Sequence, residues 1–172
     1  MEQAKFDFGA AVSVDAEAVG RPGQRRFRLM VRSTGQTASI WMEKQQLAGI
    51  GVWFDEMCAR LDREHPTSEP DAEPSPFAGD YDVDFRSSQV GLNYDEHADR
   101  FAIQAFDLDA SAGEAPAFRC ELTRGQCRVL SRKIAALVAA GRPICPLCEQ
   151  PMDPDGHVCP RSNGHHAPVT VA

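Results

Sequence analysis

Phe118-Arg119-Cys120-Glu121-Leu122-Thr123-Arg124-Gly125-Gln126-Cys127-Arg128-Val129-Leu130-Ser131-Arg132-Lys133-Ile134 is the stretch on which the fold turns. Phe118, Cys120 and Leu122 alternate with Arg119 and Glu121, the period of two that puts every other side chain on one face of a strand. After Thr123 the period changes. Cys127, Leu130, Ile134, Leu137 and Val138 recur at three- and four-residue steps, the apolar stripe of an amphipathic helix. Thr123 is placed as the N-cap, because its hydroxyl can accept from a free first-turn amide. At the other end Gly141 is placed to adopt left-handed geometry, and Pro143 prevents continuation.

Eighty residues earlier the same order of features stands in the chain. Ala38, Ile40 and Met42 alternate with Thr37, Ser39 and Trp41, and Leu47, Ile50, Phe54, Met57, Cys58 and Leu61 form a stripe. Adding eighty to that stripe gives Cys127, Leu130, Ile134, Leu137, Val138 and Gly141, and Gln46 falls on Gln126. Further strands are expected upstream of each unit. Phe27, Leu29 and Val31 alternate with Arg26, Arg28 and Arg32 after a Pro-Gly turn at Arg21 to Gln24. Val90, Leu92 and Tyr94 run to a turn at Asp95 to Asp99, after which Phe101 and Ile103 resume; Asp7-Phe8 and Asp84-Phe85 read as corresponding starts. The fold class is α+β, with two similar antiparallel-sheet-plus-helix repeats, 1–64 and 80–142, forming one core. Any two amphipathic helices share a 3-4 spacing, so the duplication rests on strand, cap and stripe recurring in order.

Between the copies lies 65–79, with four prolines and many acids, which reads as a solvated linker. Its neighbourhood explains the net charge of −7: residues 62 to 84 hold eight acids against Arg63, and the rest of the chain is neutral. An anionic partner is therefore compatible with the global acidity, since exposed charges are screened beyond about 8–10 Å. A length of 172 residues and an apolar fraction of 42% suit a globular protein of one or two small units. No run approaches the roughly 18 apolar residues of a membrane helix, and acids at Glu2 and Asp7 do not read as a secretory signal. A cytoplasmic protein is expected, with no membrane partner.

The six cysteines divide into two groups. Cys58, Cys120 and Cys127 fall on apolar faces. Cys145-Pro146-Leu147-Cys148 is a thiolate pair with the two-residue gap that lets both sulfurs reach one metal, followed by Gly156-His157-Val158-Cys159-Pro160. His157 and Cys159 stand two apart on an extended segment and so face one side. Pro151, Asp153, Pro154 and Gly156 suit a reversing loop between the pairs. Cys145, Cys148, His157 and Cys159 are the expected ligands of a structural zinc ion, with His165 or His166 as alternatives to His157. Residues 143–166 are the zinc-binding tail and 167–172 a disordered terminus.

Val19-Gly20-Arg21-Pro22-Gly23-Gln24-Arg25, Ala140-Gly141-Arg142-Pro143 before the first cysteine pair, and Asp153-Pro154-Asp155-Gly156-His157-Val158-Cys159-Pro160-Arg161-Ser162-Asn163-Gly164 resemble the bacterial family called domain of unknown function 3090. The resemblance covers nearly the whole chain, its tail motif being the most specific part, and it implies no activity or catalytic residues. His165 stands where family members often have an aromatic residue after Asn-Gly.

Arg124, Arg128 and Arg132 stand at i, i+4 and i+8 on the second helix, a candidate anion-binding face against the reading of a solvated helix face. The acidic linker is expected to compete for it. Arg26, Arg28 and Arg32 form a second basic strip, read first as a solvated sheet face. His65 and His97 are expected in solvent, and Trp41 and Trp53 mark either a partner surface or packing between repeats. No nucleophile triad, catalytic carboxylate pair or Rossmann fingerprint is visible. The expected function is a non-enzymatic protein-binding or adaptor module. Its alternatives are an enzyme on a phosphate-bearing or nucleotide substrate held between the repeats, and a nucleic-acid binder using the zinc tail and the Arg helix.

Overall fold

The computed structural model describes residues 4–21, 24–111, 113–141, 145–150, 152 and 157–161. Pro22 and Gly23 of the expected turn, Pro143, most of the loop between the cysteine pairs, His165 and His166, and the terminus 167–172 lie outside the described residues. Among the described residues the elements are β1 (Phe6–Ala10), β2 (Ser13–Val19), β3 (Arg26–Ser33), β4 (Gln36–Met42), α1 (Lys44–Glu64), β5 (Val83–Asp95), β6 (Arg100–Asp107), β7 (Phe118–Leu122) and α2 (Arg124–Ala140). The strands form one mixed sheet in the order β1-β7-β6-β5-β4-β3-β2. Strands β2-β3-β4 and β5-β6-β7 are antiparallel meanders, and the β4–β5 and β1–β7 contacts are parallel.

The sheet is curved because its outer strands are neighbours in sequence. Flat, they would lie about 29 Å apart, six strand spacings of about 4.8 Å. Only Ala11 and Val12 separate β1 from β2, and the Ala11 amide donates to Glu121 O on β7 while the Val12 amide donates to Arg32 O on β3, both at 2.8 Å. β5 bends in the same manner: Val83 to Arg86 pair with β4, and after a register shift between Ser87 and Gln89 the rest pairs with β6. A curved sheet gathers side chains from all its strands into one cluster on its concave side, and a single core cluster is present.

Pair by pair the two meanders carry matching registers. Phe27, Leu29 and Val31 face Met42, Ile40 and Ala38; Phe101, Ile103 and Ala105 face Leu122, Cys120 and Phe118. All twelve side chains are buried. Each large one contributes about 1.5–3 kcal/mol through removal from water. The helices add Leu47, Ile50, Phe54, Cys58 and Leu61 from α1 and Cys127, Leu130 and Ile134 from α2. Phe54 meets Phe101 edge to face, ring centres 5.6 Å apart. The helices touch where Gly51 faces Ile134: a methyl at Gly51 would stand 2.7 Å from Ile134 Cγ2.

Each helix is tied to the sheet backbone or its connections by the glutamine in its first turn. Gln46 Oε1 accepts from the Glu43 amide at 2.9 Å while its Nε2 donates to Ser88 O at 2.9 Å. Gln126 Oε1 accepts from the Thr123 amide at 2.9 Å, and its Nε2 donates to Ala11 O at 2.9 Å. Thr123 caps α2 as its position predicts, accepting from the Gln126 amide at 3.2 Å. At the far end Gly141 has φ −82°, not the left-handed geometry expected of it. Its amide bonds back to Ala139 O, so the tightened last turn satisfies that donor without a reversal.

The acidic connection from α1 to β5 lies along the protein surface as an extended strap. Pro70 passes so close to Gly125 that a methyl there would stand 3.2 Å from the Pro70 carbonyl carbon, and only glycine leaves room. Glu69 O accepts from Arg128 Nη2 at 2.6 Å, and the Asp71 carboxylate bridges Arg128 Nε at 2.7 Å and Arg132 Nη2 at 2.5 Å. Farther on, Arg32 donates to Ser75 Oγ at 2.8 Å and Pro76 O at 2.5 Å, with Phe77 stacked against its guanidinium. Tyr81 lies over Arg28 and donates to Met30 Sδ at 3.0 Å. Asp82 accepts from the Thr37 amide at 2.8 Å before β5 begins.

Candidate metal centre

Cys145 and Cys148 sit on a tight turn in which the Glu149 amide donates to Cys145 O and the Cys145 amide to Gln150 O, both at 2.9 Å. Glu149 takes φ +58°, which folds the chain back after the second cysteine. The amides of Cys148 and Leu147 point at the Cys145 sulfur and hold its thiol below the ordinary range, favouring the thiolate. Cys148 is pushed up. The Gln150 amide acts to lower it, but partial burial and the neighbouring thiols outweigh that donor.

The ligand atoms of Cys145, Cys148, His157 and Cys159 all lie within 4.8 Å of one another. Cys145 Sγ is 3.9 Å from Cys159 Sγ, and Cys148 Sγ is 3.2 Å from His157 Nε2. Bonds of about 2.3 Å to sulfur and about 2.0 Å to nitrogen imply tetrahedral edges near 3.8 Å for S···S and about 3.5 Å for S···N. Each of these two separations lies within about 0.3 Å of its expected edge, so the donor set fits one four-coordinate ion. Cys145 and Cys159 are buried, while Leu147 and Val158, each beside a ligand, point outward with 54% and 90% of their surface exposed.

The other three thiols have a different chemistry. Burial, reinforced by Asp62, pushes Cys58 up to about 12, and burial does the same to Cys120. Cys127 is likewise raised by burial. They remain protonated packing groups.

Arg124 does not share the surface position of Arg128 and Arg132. Its side chain is 2% exposed and donates to Asp62 Oδ1 at 3.2 Å, His65 O at 2.7 Å and both oxygens of Asp99 at 2.9 and 3.1 Å. Tyr94 also donates to Asp99 at 2.8 Å. Although desolvation acts to raise Asp99, the Tyr94 and Arg124 hydrogen bonds hold its carboxyl below the usual range. This cluster forms one wall of a polar cleft of about 490 Å³ between the end of α1, the β5–β6 turn and the start of α2, with His65 and His97 also lining it. Both histidines are exposed. The sequence hid this cluster, because Asp99 belongs to a turn distant in the chain; only its unusual φ of +49° marks it locally.

Trp41 projects from the opposite face of β4 from the core, its indole donating to Asp84 at 2.7 Å and the Arg26 and Arg28 guanidiniums lying 4.7 and 4.9 Å from its ring centre. Arg28 also pairs with Glu17. Trp53 is half-buried and packs against Phe54 and Phe101 at the edge of the core. No helix among the described residues is long and apolar enough to cross a membrane.

Comparison with curated proteins and with solved structures gives no match. The family model described as a protein of unknown function, DUF3090, matches residues 6–159, the meanders, both helices and all four candidate ligands included, and the chain belongs to that family.

Proposed function

We propose that the protein is a non-enzymatic binding module whose C-terminal segment is folded by one structural zinc ion. The observation that carries this reading is the convergence of Cys145, Cys148, His157 and Cys159 within 4.8 Å. Thiolate donors favour zinc over magnesium or calcium. Four protein ligands leave no coordination position for substrate or activated water, which makes the ion structural. Zinc binding of about 10–16 kcal/mol in small fingers is ample to organise a segment this short. The exposed Leu147 and Val158 supply apolar contacts for a protein partner on either side of the ion.

The body is read as a duplication. Support comes from the matched core registers, from Gln46 and Gln126 reaching Ser88 O and Ala11 O, and from Phe6 opposing Phe118 as Val83 opposes Ala38. An enzyme in the polar cleft is the second reading, favoured by the cleft itself. Against it, Asp99 is held ionised by its partners instead of being poised near neutral pH, where a general acid or base works best.

The test is metal analysis of the full chain combined with a Leu147→Asp, Val158→Asp double variant. One zinc per chain is expected in both proteins, with chelator-sensitive partner capture by the native chain and none by the variant. Equal capture by both would remove the proposed surface.

A further inference from the structure

We infer that the acidic strap occupies a binding site for single-stranded nucleic acid, which it masks until displaced. The cations beneath it take their polar partners from the strap and its root. Arg132 pairs with Asp71; Arg128 pairs with Asp71, Glu69 O and Asp62; Arg32 donates to Ser75 and Pro76 O. Between α1 and β5, residues 65 to 82 hold five acids and no lysine or arginine, so an acidic ribbon lies along a basic track. Lifting the ribbon takes the polar partners of Arg32 and Arg132 away and leaves Arg128 only Asp62 of α1, along an extended path suited to an extended polyanion.

The strap also shows what kind of polyanion fits. Its carboxylate sits between two guanidiniums at Asp71, the arrangement a phosphate takes. Its rings lie against guanidiniums farther along, the centre of Phe77 4.6 Å from Arg32 Cζ and that of Tyr81 4.9 Å from Arg28 Cζ. Trp41 continues the alternation of ring and arginine, with Arg26 and Arg28 against it. Anionic groups and planar aromatic groups together on one extended chain are the chemistry of a nucleotide strand, and stacking rings beside a cationic groove is how single strands are held without base readout. An acidic peptide without aromatic side chains would supply the charge but not the rings. The body of the sheet and helices, not the metal segment, carries this site, so its failure would leave the zinc reading untouched.

The experiment measures fluorescence anisotropy of a labelled mixed-sequence single strand of about 15 nucleotides. The native full chain is compared with a chain whose residues 69–77 are replaced by a Gly/Ser segment of equal length. A strap closed nine-tenths of the time lowers apparent affinity about tenfold, so at least about tenfold tighter binding is expected after replacement. Three phosphate contacts predict a slope of log affinity on log salt near −2. Arg32→Ala with Arg132→Ala in the replaced chain should return the affinity to the native level or below. If the replaced chain does not melt cooperatively, Asp71→Asn with Phe77→Ala in the native strap takes its place, with the same expectation. Equal affinity with and without the strap contacts overturns the proposal. So does a polyglutamate of matched length binding as tightly as the oligonucleotide, which would identify an acidic protein segment as the ligand.

Discussion

Replacing Gly125 with alanine adds one methyl group between α2 and the strap, and the consequences can be worked from the distances. The new carbon would stand 3.2 Å from the Pro70 carbonyl carbon, closer still to its oxygen, and 3.4 Å from the Ala72 nitrogen. Ordinary carbon contacts need about 3.5–4.0 Å, so the strap must retreat by about 1 Å. The Ala72 amide bond to Gly125 O, already 3.4 Å, is then lost, and Glu69 O is drawn away from Arg128. Hydrogen bonds to charged groups contribute about 1.5–3 kcal/mol, and partial exposure here puts the loss near 2 kcal/mol. Against this, alanine is about 0.8–1 kcal/mol better than glycine inside a helix. Global stability should therefore change by only about 1 kcal/mol, while strap opening rises about 30-fold. Limited proteolysis with a broad-specificity protease reads that opening between His65 and Gly79, since cleavage of a fast-opening segment tracks its open population. Thermal melting read in parallel should move by no more than a few degrees. An unchanged strap cleavage rate with a raised melting temperature would refute the tight Pro70 contact.

Arg124→Met should destabilise the protein by about 2–4 kcal/mol in urea denaturation, because Asp62 and Asp99 lose a buried partner; both are 39% exposed and can be partly rehydrated, which keeps the loss below the extreme for buried pairs. A loss under about 0.5 kcal/mol would contradict the buried network. Gln126→Ala removes bonds to Thr123 and Ala11 and should cost about 1–3 kcal/mol, more than the corresponding Gln46→Ala, whose residue is less buried; equilibrium unfolding of the two variants compares them. Asp71 and Asp82 are held below the ordinary carboxylate value of 3.8, Asp71 chiefly by hydrogen bonds from Arg128 and Arg132 and Asp82 by those from Thr37. A depressed folded-state value gives stability that is complete above the unfolded value and lost as pH falls through the folded one. Melting temperatures should therefore be insensitive to these groups between pH 8 and 5 and fall below about pH 4; loss of the strap contacts already at pH 6 would contradict the assignment.

The local code for the fold was plain in the chain. Alternation at Ala38 to Met42 and Phe118 to Leu122, the stripe from Leu47 to Leu61 and the Thr123 cap correspond to β4, β7, α1 and the start of α2. So was the donor set, because Cys-x-x-Cys followed by His-x-Cys has few uses other than metal ligation. What stayed hidden depended on distant partners. Nothing local distinguishes Arg124 from Arg128 and Arg132 on the helix, yet Asp99 and Asp62 bury the first and leave the others to the strap. Prolines and acids in 65–79 suggest a solvated linker, but the arginines that hold this segment against the body lie elsewhere, on β3 and α2. The sharp curvature comes from Ala11 and Val12, whose side chains carry no signal for it; their amides, bonded to different strands, do the work.

Zinc content of the full-length protein, purified with its thiols reduced and measured against protein concentration by plasma mass spectrometry, tests the metal centre most directly. One zinc ion per chain is expected, falling to near zero in Cys145→Ser. Full-length protein that folds with substoichiometric zinc, or a Cys145→Ser chain that retains the ion, would contradict the four-ligand site.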